Sequence, residues 1–360
     1  MSAVAALGWD VGGAHLKRAA FAADGRLLRT DIAPCALWRG LDELRAAFDA
    51  LGTPDVPSAA TMTGELVDLW PDRATGVAAL AAALADRLGP DLALYAGPDG
   101  FVAPSAAGRH AARIASANWH ATAAALARAV PEGILIDIGS TTTDIVPLAG
   151  GQVAARGFSD AERLDAGELV YSGIARTPVM ALARCLPFDG RMVPLMAEHF
   201  ATTADIHRLT GDLPDGADLH PAADGGAKTS AASARRLLRM VGRDLAAADT
   251  NAAALRPARA LAFAAAAEQM HMLARALAQI ISAGAVGPEA AILGAGVGAG
   301  LATRLAVRAE RRYLDAGALL SEDAALSAGA AACAPAVAVG RLAHAAGLFS
   351  RPEPRLDAIP

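Results

Sequence analysis

The chain has 360 residues, of which 54% are hydrophobic and 19% charged, and it carries a formal net charge of -5. That length and apolar content suffice for two buried cores, while net negative charge without a Lys or Arg run argues against a nucleic-acid surface. Cys35, Cys185 and Cys333 form no Cys-x-x-Cys pair, which excludes an encoded disulfide framework or zinc ribbon.

The start Met1–Leu7 lacks a basic run and is too short for a signal peptide, and Arg, Asp or His interrupts each Ala-rich stretch. The expectation is a soluble, cytoplasmic protein with no membrane partner. Strands are predicted near Val4–Asp10, Leu16–Ala22 and Leu27–Ile32, the last two joined across the hairpin signal Asp24-Gly25. Leu41, Leu44, Phe48 and Leu51 share one face of a predicted helix over Leu41–Leu51. A buried strand over Ala59–Thr63 runs into the polar, Trp-bearing loop Gly64–Arg73. Strand ends of this kind are where α/β sheets place ligands, which makes Glu65 a candidate substrate-binding residue. A helix over Thr75–Leu88, a strand over Leu92–Tyr95 and a long helix over Ser105–Val130 complete the first half.

The second half repeats the three-strand opening over Gly133–Asp137, Thr142–Pro147 and Gln152–Phe158, with Ala149-Gly-Gly151 as the hairpin turn. Leu186–Asp249 then reads as an insertion rich in polar and charged residues, including Glu198, His199, Asp205, His207, Asp212, His220, Asp224 and Lys228. It lacks His-x-x-x-His or Glu-x-x-His metal spacing; Asp205, His207 and Lys228 stand as candidate substrate-binding residues, with solvated surface as the plainer reading for most of the set. Regular structure resumes with a helix over Arg259–Ala283, a strand over Ala290–Leu293, a helix over Ala299–Arg311 and a final helix over Glu322–Ala346. The tail Ser350–Pro360, with three prolines, is expected to fray. The domain division read from this pattern is 1–130 and 131–360, with 186–249 as a substrate subdomain of the second.

Two stretches carry the chemistry. Gly133-Ile-Leu-Ile-Asp-Ile-Gly-Ser-Thr-Thr-Thr-Asp144 reads as a strand ending at Asp137, then a turn in which Gly139, Ser140, Thr141 and Thr142 offer backbone and hydroxyl donors to an anion. The carboxylate at the strand end can hold a hydrated cation beside that anion. The same design occurs at Leu7-Gly-Trp-Asp-Val-Gly-Gly-Ala-His-Leu-Lys17, where Asp10 precedes Gly12 and Gly13, about 127 residues earlier. One copy alone is an ordinary hairpin; two copies behind apolar strands point to an internal duplication.

The paired turns resemble the phosphate loops of the sugar kinase, Hsp70 and actin superfamily. That resemblance implies an α/β fold of duplicated ribonuclease-H-like domains with a nucleotide cleft between them. A third superfamily element corresponds to Ala290-Ala-Ile-Leu-Gly-Ala-Gly-Val-Gly-Ala-Gly300, whose Gly294, Gly296 and Gly298 match the turn that packs against adenosine in relatives. More narrowly, Gly8-Trp-Asp-Val-Gly-Gly-Ala-His-Leu-Lys17, Thr-Gly-Glu65-Leu-Val-Asp, Ala117-Asn-Trp-His120, Asp137-Ile-Gly-Ser-Thr-Thr-Thr-Asp, Thr203-Ala-Asp-Ile-His-Arg-Leu-Thr-Gly211 and Thr229–Met240, in that order, resemble the hydantoinase/oxoprolinase-like proteins of tetrahydromethanopterin-linked one-carbon pathways.

The narrower resemblance implies transfer of an aminomethyl-furanylmethyl group from its diphosphate ester to the phenol oxygen of γ-glutamyltyramine, as in methanofuran and methylofuran biosynthesis. It makes Asp10, Lys17 and Asp137 the catalytic set. Asp10 and Asp137 would hold Mg²⁺ or a similar cation through water, the two turns and Lys17 would meet the diphosphate, and an acid or His of the insertion would orient the phenol. An ATP-dependent kinase or hydrolase of the same superfamily, and an ATP-driven chaperone or activator, stay open at this point, as do ATP use and homo-oligomer formation.

Overall fold

The computed structural model describes residues 3–246 and 249–349. The tail expected to fray lies outside them. The chain divides into two compact units. The first comprises the described residues of Met1–Pro131, Gly151–Val153 and Asp315–Pro360, the second Glu132–Gly150 and Ala154–Leu314.

The first unit holds a six-stranded sheet built from β1 (Ala6–Val11), β2 (His15–Phe21), β3 (Leu27–Pro34), β4 (Ser58–Met62), β5 (Leu92–Tyr95) and β6 (Phe101–Val102), in the order β3-β2-β1-β4-β5-β6. β1 pairs antiparallel with β2 and parallel with β4. All six residues of β1 are buried, as a central strand covered on both faces requires. One face packs on Leu44, Phe48, Val77, Leu80 and Leu84 from the helices Leu41–Leu51 and Arg73–Leu88. The latter starts where the Asp72 side chain accepts from the Thr75 N–H and ends at Gly89.

The expected final helix over Glu322–Ala346 is in fact broken. Short helices at Ala316–Leu320 and Ser327–Ala332 precede Ala334–Ala345, whose Pro335 sits in the first turn, where its missing N–H costs nothing. This last helix lies directly on β1: a Cβ at Gly8 would come within 2.1 Å of the Ala336 carbonyl oxygen. The C-terminal segment, expected with the second domain, therefore belongs to the core of the first. The long helix expected over Ser105–Val130 is likewise interrupted, with 3-10 turns over Pro104–His110 and helices over Ala111–Ile114 and Asn118–Ala127. Ser116 between them takes a left-handed conformation, φ 52°.

The second unit repeats the plan with β7 (Gly133–Ile138) and β8 (Thr143–Ala149) as an antiparallel pair. The expected strand Gln152–Phe158 shrinks to β9 (Gln152–Val153), whose residues fall with the first unit, and beyond it the Arg156 and Gly157 N–H groups turn to the Glu168 carboxylate at 2.6 and 3.2 Å. β10 (Leu169–Val170) takes the edge beside β8 instead. A separate hairpin, β11 (Cys185–Phe188) with β12 (Arg191–Pro194), precedes β13 (Ala291–Ala295) and β14 (Tyr313–Asp315). The main sheet runs β10-β8-β7-β13-β14, and β13 is parallel to β7. Each sheet thus has a buried central strand with an antiparallel hairpin on one side and a parallel strand on the other. That is the duplicated ribonuclease-H-like arrangement the repeated motif implied.

The insertion is a helical subdomain of the second unit. Ile206, Leu209, Leu237, Leu238 and Met240 share a core with Val179, Leu182 and Leu186 before them and Leu255, Leu261 and Ala265 after them. Its packing therefore begins before residue 186 and runs into the helix Arg256–Ser282. The helix after β13 stops at Arg308, short of Arg311, where Glu310 adopts φ 53°. Among the described residues no single helix is long and apolar enough to cross a membrane.

Candidate functional site

The Asp137 turn is the more fully braced of the two Asp-x-Gly turns. Asp137 is buried near the end of β7, and the turn closes with the Gly139 N–H donating to the Thr142 carbonyl at 2.9 Å. Ser140, Thr141 and Thr142 stay half-buried rather than sealed. The segment Gly173–Arg176 braces this turn. Ile174 donates to the Gly139 carbonyl at 3.0 Å, and Ala175 and Arg176 donate to the Ser140 carbonyl at 3.1 and 2.8 Å. The Arg176 guanidinium donates to the Thr141 hydroxyl at 3.2 Å. A cation thus stands at the hydroxyl face of the turn. Burial lowers the Arg176 pKa from its usual value, yet a guanidinium stays charged through the physiological range. Sequence reading missed this residue, because nothing in the sequence ties position 176 to a turn 34 positions earlier.

The Gly-rich turn closes on the same end of the sheet. Ala295 pairs with Asp137 across β13 and β7, and the Gly298 N–H donates to the Ile138 carbonyl at 2.8 Å. Gly296 sits at φ 80°, and a Cβ there would come within 2.3 Å of the Ile138 carbonyl oxygen and 2.4 Å of an Asp137 carboxylate oxygen. Only glycine permits that approach. Gly294 lies against the Tyr313 ring and Gly298 caps the helix Ala299–Arg308. The expected nucleotide-like turn and the Asp137 turn are therefore one construction.

In the first unit, Asp10 is buried near the end of β1 and pairs across the strands with Lys17, the Nζ lying 3.4 Å from its carboxylate. Gly12 donates to the His15 carbonyl at 3.0 Å, and Leu37 donates to that of Gly13 at 3.1 Å. Thr61 is the parallel register partner of Asp10, fully buried, with no hydrogen bond to its hydroxyl. Sequence reading missed it too, since a Thr within an Ala-rich strand gives no local signal.

The remaining candidates divide. Glu65 is buried after β4, where the hydroxyl of Ser116, the residue with the left-handed backbone, donates to it at 3.0 Å. Asp205 and His207 are not the solvated surface or open substrate groups that their setting in a polar insertion suggested. Asp205 accepts from the Ser233 hydroxyl and the Arg236 guanidinium at 2.7 Å each, and from the Thr202 N–H at 3.1 Å. His207 is 1% exposed, with Nε2 2.7 Å from the Gln269 carboxamide. Lys228 donates to the Asp218 carbonyl at 2.6 Å. These groups build the subdomain. Burial pushes the Cys333 thiol up to about 12, and likewise that of Cys35, so neither is a nucleophile at neutral pH.

The set of donors decides how a metal could be held. Among the described residues, no group of three or more His, Cys, Asp or Glu could enclose one. A Mg²⁺ at the Asp137 turn would take one protein carboxylate and complete its shell with water, since Mg²⁺ keeps most of its water. At Asp10 a cation would compete with the Lys17 ammonium.

Comparison with known proteins settles the family. The hydantoinase/oxoprolinase family profile matches residues 58–338. The chain belongs to the hydantoinase/oxoprolinase family. This family member is 32% identical over 221 residues to the (4-{4-[2-(gamma-L-glutamylamino)ethyl]phenoxymethyl}furan-2-yl)methanamine synthase of Methanocaldococcus jannaschii, covering 59% of this chain and 66% of that one. It is 40% identical over 92 residues to the same-named protein of Methanococcus vannielii, covering 23% of this chain and 41% of that one. The chain thus spans just under two thirds, and about two fifths, of the curated relatives it matches. Among solved structures, a nucleotide-free acetone carboxylase superposes with TM-score 0.59 at 11% identity, over 94% of this chain and 70% of that one. That likeness supports the fold. The family match takes in Glu65, the Asp137 turn, the insertion and the Gly-rich turn, and begins at β4, after Asp10 and Lys17.

Proposed function

We propose that this hydantoinase/oxoprolinase family member is a transferase of methanofuran-type cofactor synthesis. It would join an aminomethyl-furanylmethyl diphosphate to the phenol oxygen of γ-glutamyltyramine. The observation that carries the reading is its 32% identity to a synthase whose printed product name contains a phenoxymethyl-furan link. The bond such a synthase makes runs from a phenol oxygen to a furanylmethyl carbon. The phenol oxygen attacks that carbon, the carbon–oxygen bond to diphosphate breaks with its electron pair leaving on diphosphate, and the phenol proton passes to a base.

The Asp137 turn suits the leaving group. Backbone and hydroxyl donors of Ser140, Thr141 and Thr142, with the Arg176 guanidinium beside them, are oriented before the charge develops on the departing oxygens. Preorganised donors of this kind are the principal source of transition-state stabilisation for an anionic leaving group. Mg²⁺, when bound through water to Asp137, supplies further charge neutralisation for the diphosphate. Asp10 and Lys17 stand as the corresponding charged pair of the first unit. The acceptor phenol has an unperturbed pKa of about 10, so its deprotonation needs help. Asp205 and His207, occupied inside the subdomain, are not assigned that task.

The test is to incubate the protein with the furan diphosphate and γ-glutamyltyramine, and separately with ATP and each substrate, reading products by mass spectrometry. An ether product with free diphosphate supports the proposal. A phosphorylated product or a hydrolysed amide formed with ATP replaces it with a kinase or hydrolase, and ATP hydrolysis without a modified small molecule replaces it with a nucleotide-driven activator.

A further inference from the structure

Behind the Asp137 turn lies a buried polar chain whose hydrogen-bond directions can be deduced. Gln269, on the helix Arg256–Ser282, is fully buried. Its amide nitrogen lies 2.9 Å from both the Gly173 carbonyl and the Ser172 hydroxyl, and its amide oxygen lies 2.7 Å from Nε2 of His207. A backbone carbonyl can only accept, so the nitrogen of the carboxamide must face Gly173 and the oxygen must face His207. Neutral His207 therefore carries its proton on Nε2 and turns the lone pair of Nδ1 toward Asp212, 3.9 Å away. Asp212 is held in turn by Arg304 and Thr210.

The other end of this chain is the brace itself. The Thr143 hydroxyl donates to the Ser172 carbonyl at 2.7 Å, and the Gly173 N–H donates to the Thr177 hydroxyl at 2.9 Å. Gly173 is pressed so closely on the turn that a Cβ there would lie 2.5 Å from the Ser140 carbonyl carbon and the Thr141 nitrogen. Any shift of Ser172–Gly173 is thus passed to the backbone of Ser140 and Thr141. Besides Thr143 and Thr177, Gln269 holds Ser172–Gly173 from the long helix, and His207 holds the Gln269 carboxamide oxygen.

We propose that Gln269 is a positioning residue: by donating to Gly173 and Ser172 and accepting from His207, it ties the helical insertion to the diphosphate-receiving turn. This role rests on the reading of the Asp137 turn given above. It also supplies a task for His207 that substrate contact does not: the insertion helix Thr203–Thr210, which donates directly to the brace from the Ala204 N–H to the Ala175 carbonyl at 3.0 Å, reaches Gln269 through that imidazole. The groups facing His207 are Gln269, Asp212 and, by its charge, Arg304.

Gln269→Glu keeps shape and volume but replaces the donor with an acceptor facing a carbonyl. In the full-length protein, exchange of the Ile174, Ala175 and Arg176 amides should accelerate about tenfold, and affinity for inorganic diphosphate with Mg²⁺ should fall by a similar factor. Ser172→Ala removes only one bond and should give about a two- to fivefold change, which keeps the idea testable if Gln269→Glu does not fold. Leu261→Ala, a cavity variant on the same helix, controls for general loss of stability and should not single out residues 174–176. The proposal is overturned if Gln269→Glu, or Ser172→Ala in its place, changes those three amides no more than Leu261→Ala does. If the native protein does not bind diphosphate, the functional reading fails, while the exchange comparison still decides whether Gln269 sets the turn.

Discussion

Asp137 gathers the site's geometry into one side chain. It lies near the end of a buried strand, directly beside Gly296 and level with a turn whose hydroxyl face meets Arg176. Asp137→Asn preserves shape, so the melting temperature should hold, while loss of the charge that orients a hydrated metal should slow turnover about 10- to 100-fold. Initial rates of diphosphate release alongside thermal melts would check both halves. Gly296→Ala should act differently. At φ 80° and with the Ile138 carbonyl in the way, the variant should lose about 2–3 kcal/mol of stability. Urea unfolding would measure it, and an unchanged midpoint would mean the turn relaxes freely. Asp137 and the three glycines were legible from sequence because turn chemistry is local. Arg176 and Thr61 were not, since their relevance arises from a brace and a parallel register that bring distant positions together.

Among the elements, the insertion shows how polar composition misleads. Asp205 and His207 look like surface or ligand groups in sequence, yet Asp205 is 2% exposed and His207 1% exposed, and Asp205 is joined to the buried Arg236 at 2.7 Å. Asp205→Ala would strand a buried guanidinium and should cost about 3–5 kcal/mol. Chemical denaturation would show it, and a loss under about 1 kcal/mol would mean that water or Asp224 compensates. Strand and helix periods were otherwise readable, and Leu41–Leu51 and Leu92–Tyr95 fall where the apolar pattern put them. The two long Ala-rich helices were not readable as broken. Alanine propagates a helix on either side of a break, so composition marks neither the interruption at Ser116, whose hydroxyl meets the distant Glu65, nor the fresh helix start at Ala334, which packs on β1.

At the scale of the whole molecule, the duplication was visible as two Asp-x-Gly turns, but the return of residues 315–349 to the first unit was not, because it depends on small residues letting a helix lie on β1. Stability should depend on pH in two stages. Burial lowers the His207 pKa, so the folded state favours neutral imidazole. Its contribution is present above the unfolded value of about 6.5 and is lost as pH falls from there through the folded value. Asp212 and Asp224 are also lowered: burial opposes this, but the Arg304 hydrogen bond outweighs it at Asp212, and the Gly226 N–H with Arg236 does so at Asp224. Their contribution is lost only below about pH 4. Urea midpoints across this range should fall in both stages, and His207→Gln should flatten the upper one; an unchanged upper stage would show that another group titrates there.

On the proposed reading, the Asp137 turn receives a diphosphate leaving group in a metal-assisted transfer that consumes no ATP. Diphosphate release from the furan diphosphate in the presence of γ-glutamyltyramine, followed with and without EDTA and with and without ATP, tests it most directly. Release should stop with EDTA, return with added Mg²⁺ and be indifferent to ATP. Turnover that survives complete metal removal, or that requires ATP while the diphosphate ester is supplied, would contradict it.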